Sequence, residues 1–469
     1  MIETNVKPMR AEYLIKIFAG LFLSLVLIPS GQAQDNMPEN FTYSELPNGL
    51  ELLVIEDPSV PLATIELAVH NGAYTETPEY DGLSHLYEHM FFKANKAIPS
   101  QEEFMERVNE LGISFNGTTS DERVNYFITL SNNKLEEGLE FMNNAIRYPL
   151  FLEEEMKKEN PVVDGEFQRA ESNPVFFLMQ DVNHAMWGEN YSRKNTIGNH
   201  DIILSATPEK MREIQKKYYY PNNTLLVVAG AVNPKKVRAI VENIFGNWKP
   251  SEFDVFEKYP IPEFDRIDES KKVVTVNENA QVPIMMITQY GPKSLEDTKA
   301  TYAADVFHTI LGLPSSRFQQ NLVESGLAYQ AGTSYQTLKH VGPITIFMVP
   351  NPQMVDSAIS TLEKEISLWD SEDYFTDEQM EAAKNQLMIQ DVYSRESTSN
   401  FVHSITYWWA SATIDYYLSY IDRLQDVTRA DIIDYVETYI HGKPNVTGIL
   451  VSPAMKESLN VEEIEPISM

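Results

Sequence analysis

Cysteine is absent from all 469 residues. No disulfide can form, no thiolate can ligate a metal or act as a nucleophile, and no lipid can be carried on an N-terminal cysteine. Positive charge is scarce as well. The 37 Lys and Arg face 68 Asp and Glu, for a formal net charge of −31. Such a chain repels phosphate, which excludes nucleic acid as a partner. It suits an exported soluble protein, or one that attracts basic peptides. Long apolar runs are missing beyond the N-terminus, so no later segment predicts a membrane span. What remains is an ordinary globular composition, 43% hydrophobic and 22% charged, in a chain long enough for two or three domains.

The N-terminus reads as an address. Lys7, Arg10 and Lys16 precede an apolar stretch from Ile17 to Ile28, and Gly31-Gln32-Ala33 supplies small residues at the −3 and −1 positions. This predicts a secretory signal peptide over residues 1–33, cleaved after Ala33, and hence a periplasmic or secreted protein. Twelve apolar residues fall short of the ~20 that a spanning helix needs, so no integral membrane segment is expected after cleavage.

Histidine is sparse, nine in all, yet two stand in the run Gly82-Leu83-Ser84-His85-Leu86-Tyr87-Glu88-His89-Met90. On a helix, His85 and His89 are four residues apart and share a face. Two imidazoles so placed can grip one metal ion, with Glu88 beside them as a candidate base. The pattern is H-x-x-E-H, the reverse of the commoner H-E-x-x-H of zinc proteases. Catalytic zinc takes three protein ligands and leaves one position open. Without cysteine, the third must be His, Asp or Glu. The seven other histidines show no ligand spacing and read as structural.

Residues 51–56, 62–69, 124–130 and 224–229 read as strands; 101–111, 133–147, 208–218 and 234–245 read as helices. A helical region from Glu153 to Ala170 is expected to be interrupted at Pro161. Residues 250–271, with Pro250, Pro260 and Pro262 and no clear period, predict an interdomain linker between domains at 34–249 and 272–469. Strands are expected again near 272–277, 283–290, 328–335, 343–349 and 446–451. An internal echo links the halves. Thr207-Pro208 opens a helix ending at Tyr218, then Pro221-Asn222 and a strand; Thr428-Arg429 opens one ending at Tyr439, then Pro444-Asn445 and a strand. The repeat predicts a duplicated domain of which only the first copy carries the metal motif.

With these features the chain resembles the insulinase (pitrilysin) family of inverzincin metallopeptidases in its half-length bacterial form. Gly72 and Glu76 precede the motif. Asn116-Gly117-Thr118-Thr119-Ser120, Pro221-Asn222-Asn223, Phe245-Gly246-Asn247-Trp248, Ser315-Ser316-Arg317 and Gly326-Leu327-Ala328-Tyr329 follow it. The resemblance implies an α+β fold of two homologous domains, each a mainly antiparallel or mixed sheet packed with helices, as in the mitochondrial processing peptidases. It implies one Zn²⁺ per chain, held by His85, His89 and Glu166, the last 77 positions after the second histidine. It implies Glu88 as the base, Glu159 as a helper of the site, Asn116 beside bound peptide, and Tyr329 as an oxyanion donor from the second domain. The basic residue usually found seven positions before that tyrosine is here Leu322. The expectation is a zinc endopeptidase cutting peptides or small unfolded chains in a chamber between two halves. The second half would come from a homodimer, or from a heterodimer with a metal-free homologue. A narrow processing peptidase and a metal-binding but non-catalytic scaffold subunit remain the alternatives.

Overall fold

The computed structural model describes residues 37–261 and 263–469; the expected signal peptide lies outside them. Two sheets organise the chain. The first contains β1 (Phe41–Glu45), β2 (Glu51–Glu56), β3 (Leu62–Val69), β4 (Ser114–Thr119), β5 (Val124–Ser131) and β6 (Thr224–Gly230), in the order β1-β2-β6-β3-β5-β4. The second contains β7 (Lys271–Val276), β8 (Ile284–Tyr290), β9 (Ala328–Tyr335), β10 (Pro343–Pro350) and β11 (Val446–Val451), in the order β7-β11-β8-β10-β9.

Both sheets follow one plan. In each, the last strand in sequence inserts parallel to the first of the shared five and antiparallel to the next: β6 between β2 and β3, β11 between β7 and β8. Such central strands are covered on both faces and are accordingly apolar throughout. All seven residues of β6 (Thr-Leu-Leu-Val-Val-Ala-Gly) are buried, as are all six of β11. The helices before them, Pro208–Tyr218 and Arg429–Tyr439, are the two members of the sequence echo. Thr428 forms a capping box with Asp431, whereas the Thr207 side chain makes no cap bond. The fold is thus α+β with two homologous halves.

The first half carries α1 (Leu83–Phe91), α2 (Gln101–Leu111), α3 (Leu135–Arg147), α4 (Glu153–Glu171) and α5 (Pro174–Trp187), of which α1, α2 and α4 line the site. The expected break at Pro161 does not occur, and α4 runs unbroken through it. Proline deprives the carbonyl four residues back of its partner. Here that residue is Lys157, which is exposed.

The halves exchange helices, which no sequence period foretold. First-half α5 lies across β11, β7 and β8, burying Leu178, Val182, Met186 and Trp187 against Val446 and Leu450. The contact needs Gly448: a Cβ there would lie 2.4 Å from Val182 Cγ2. In return the second-half helix Thr398–Ser411 lies across β3 and β6. From it Trp409 donates to Glu51 of β2 at 3.1 Å, and Thr406 donates to the buried Glu66 of β3 at 2.5 Å. None of the described helices is long and apolar enough to cross a membrane.

Candidate metal centre

Helix α1 starts beneath a buried carboxylate. Glu76 accepts from the backbone N–H of Gly82 at 2.8 Å and of Ser84 at 2.6 Å, taking the place of a capping side chain at the positive end of the helix. Burial holds the Glu76 carboxyl well above the usual range, with Asp81 nearby adding to the effect. So anchored, α1 turns His85 and His89 to one side with ring centroids 4.9 Å apart at 82°.

The third group arrives from α4. Glu166 Oε2 lies 3.5 Å from His85 Nε2 and 3.8 Å from His89 Nε2. One ligand atom from each of these residues falls within 4.8 Å of the other two. A tetrahedral zinc with bonds of about 2.0–2.1 Å keeps its ligands roughly 3.4 Å apart, so the spacing suits such an ion after small adjustments. The donor chemistry suits it too. Burial, aided by His89, lowers the His85 pKa to about 4, leaving that imidazole neutral with a lone pair to offer. Glu159, one helical face with Glu166, accepts at 2.9 Å from His89 Nδ1, which leaves Nε2 for a metal. Lys93 Nζ holds the other Glu159 oxygen at 2.6 Å. Burial pushes the Glu159 carboxyl up, but the bonds from His89 and Lys93 outweigh it and its pKa is lowered.

Glu88 points into the same space from the next turn. It is buried, and its Oε2 accepts from Thr119 Oγ1 at 3.0 Å. Burial raises its pKa, against the pull of His89 and the Thr119 bond. These groups line a cavity of about 510 Å³ whose opposite wall is β4. That strand is last in its sheet, so one side of its backbone has no neighbouring strand. Asn116 stands exposed on β4 and lines the cavity, its Oδ1 accepting from the Gly117 N–H at 3.0 Å.

The structure therefore brings together His85, His89, Glu166, Glu88, Glu159 and Asn116. Tyr329 does not join them. It lies on β9 at the edge of the other sheet, 60% exposed, and does not line the cavity. Leu322 is fully buried in the second core, with no access to the site. From sequence, Glu76 and Thr119 were only matching positions of the family and Lys93 was passed over, although it stands four residues after His89.

Residues 51–200 match the family model described as insulinase (peptidase family M16), and residues 205–387 match the peptidase M16 inactive domain. The chain belongs to the insulinase family. The second match begins at the end of the first half and runs into the half that lacks H-x-x-E-H. Among relatives, the uncharacterized zinc protease YmxG of Bacillus subtilis is 26% identical over 357 residues, covering 75% of this chain and 84% of that one. A protease from Helicobacter pylori shares the fold with a TM-score of 0.78 at 20% identity, over 88% of this chain and all of that one. The periplasmic protease PqqL of Escherichia coli superposes with a TM-score of 0.69 at 17% identity; 92% of this chain spans 51% of that one.

Proposed function

We propose that this protein is an exported zinc-dependent endopeptidase that hydrolyses peptides or small unfolded chains. In this reading His85, His89 and Glu166 hold the ion, and residues 34–249 and 272–469 form its two domains about a linker at 250–271. The observation that carries it is the convergence of two imidazoles, a half-exposed carboxylate and a second, buried carboxylate on one cavity. The Bacillus relative's name as a zinc protease supports the choice of metal.

Zinc bound there supplies Lewis acidity, lowering the pKa of water to about 7 and polarising a carbonyl. The chain's own groups do the rest. Glu88 takes a proton from the attacking water and returns it to the leaving amine, and burial raises its pKa above the usual carboxylate range. Glu159 fixes the tautomer and orientation of His89, with Lys93 holding Glu159 in place. The open edge of β4 pairs with an extended peptide, so main-chain bonds supply affinity with little sequence preference, and Asn116 borders the bound strand.

Tyr329 and Leu322 bear on assembly. An exposed tyrosine on a distant strand and a leucine in place of the family's basic residue leave this chain without its own oxyanion pair. That supports a second half, from another copy or from a metal-free homologue that carries the missing arginine. The periplasmic PqqL protein, about twice this length, supports export and a two-half assembly by its title and size.

The deciding experiment replaces Glu88 with Gln in the purified complex. Chelator-sensitive peptide cleavage should vanish while zinc stays bound at one ion per chain. Retained cleavage overturns Glu88 as base, and zinc content near zero in the unaltered protein favours the scaffold reading.

A further inference from the structure

We propose that a second cavity, set between the two halves, is a binding site for a small multivalent anion with a flat apolar portion. The cavity holds about 340 Å³. Arg193, Lys194, Arg266 and Lys293 line it against one carboxylate, Glu263, a surplus of three positive charges (four minus one). This occurs in a chain whose net charge is −31. The metal cavity has the opposite balance, Lys93 against Glu88, Glu159 and Glu166.

Neighbouring groups take up part of this surplus, and Arg193 Nε donates to the Glu76 carbonyl at 3.5 Å. Lys293 meets Glu296 at 2.9 Å, but that glutamate is 70% exposed and its pairing is weak in water. Lys194 donates to the Val341 carbonyl at 2.9 Å and lies near the Asp121 charge. Glu122 is engaged by the backbone N–H groups of Lys339 and His340. The Arg266 guanidinium rests 5.1 Å from the Tyr290 ring centre and has no carboxylate partner among the described residues.

Rings complete the walls. Trp187 meets Phe264 edge-to-face at 4.7 Å, Tyr74 stands beside His340 at 5.1 Å, and Tyr290 packs behind Phe264 at 5.4 Å without lining the cavity. Cations set among aromatic faces recognise a ligand with anionic oxygens at one end and a planar body at the other. Guanidinium and ammonium groups serve carboxylate and phosphate oxygens alike, so the two sources are separated by experiment. The site draws Trp187 from the first half, Lys293 from the second and Phe264 from the connecting segment, so its ligand ties all three together.

Calorimetric titration of the full chain with inorganic phosphate, phenyl phosphate and phthalate tests this at constant ionic strength. We expect a single saturable site for phenyl phosphate or phthalate, whichever oxygen source is preferred. Its affinity should exceed that for inorganic phosphate by about tenfold and fall by about tenfold in Arg266→Gln/Lys293→Gln. Lys216→Gln, in a separate groove that Arg147 and Lys249 also line, should leave it unchanged. Both altered side chains lie outside the cores, and the single Arg266→Gln variant provides the same comparison should the pair melt early. The proposal is overturned by absence of saturation with either ring anion, by equal affinity for phosphate with and without the ring, or by equal losses in the Lys216 and Arg266 variants.

Discussion

Gly117 and Glu88 touch so closely that any side chain at 117 must displace Glu88: a Cβ there would lie 2.7 Å from Glu88 Oε1 and 2.8 Å from its Cγ. The glycine of β4 is the floor on which the candidate base of α1 rests. Strand and helix are thereby held at one separation, and the cavity between them inherits its width.

Gly117→Ala should therefore displace Glu88 without touching a metal ligand. We expect kcat/KM for a peptide substrate to fall about 10- to 100-fold, with zinc stoichiometry unchanged, since an error of about 1 Å at a reacting group costs that much. Steady-state kinetics beside metal analysis checks the split.

Glu159→Gln acts on the metal instead. The amide keeps the size of the side chain but loses the charge that His89 Nδ1 and Lys93 share. Zinc affinity should weaken about 10- to 100-fold, measured by competition with a chelator of known affinity, while thermal unfolding of the metal-free protein changes little.

Removal of the Trp409 ring tests the helix exchange. Trp409 stacks on His70 at 3.7 Å and donates to the half-buried Glu51, which also accepts from Tyr43 at 2.7 Å, so Trp409→Ala leaves a cavity and takes one of two donors from that carboxylate. Denaturant unfolding should show a loss of about 3–5 kcal/mol.

Acid pH should stabilise the second half through Asp305. Burial raises its pKa to about 7, against the bond it accepts from Tyr420. An unfolded aspartate titrates near 3.9, so between about pH 4 and 7 the folded state holds a proton that the unfolded state has lost. Stability from this group is full below pH 4 and is gone above pH 7. Asp305→Asn should flatten that slope and raise the melting temperature at pH 8, as followed by circular dichroism across pH.

The metal motif was legible because a helix places residues four apart on one face, a rule needing no tertiary information. The strands were legible for a similar local reason: β6 and β11 are continuous apolar runs and β10 alternates buried and half-buried residues. Glu166 was a different matter. Its helix has a low apolar content and many glutamates, any of which fits a solvated face. Family spacing singled it out, and only packing of α4 beside α1 brought its oxygen to the histidines. Pro161 misled because the local rule ignores that the orphaned carbonyl belongs to an exposed residue.

By itself, the order of residues determined the two histidines and their base, the absence of thiol chemistry, the acidic character and the duplicated strand-and-helix plan. Each of these depends on composition or on periods of a few residues. Tertiary structure alone decided that a glycine seats Glu88, that Lys93 and Glu159 brace His89, that the halves trade helices, and that cations far apart in the chain share one cavity. Those relations join residues tens to hundreds of positions apart, and no local period encodes which distant surfaces a folded chain presses together.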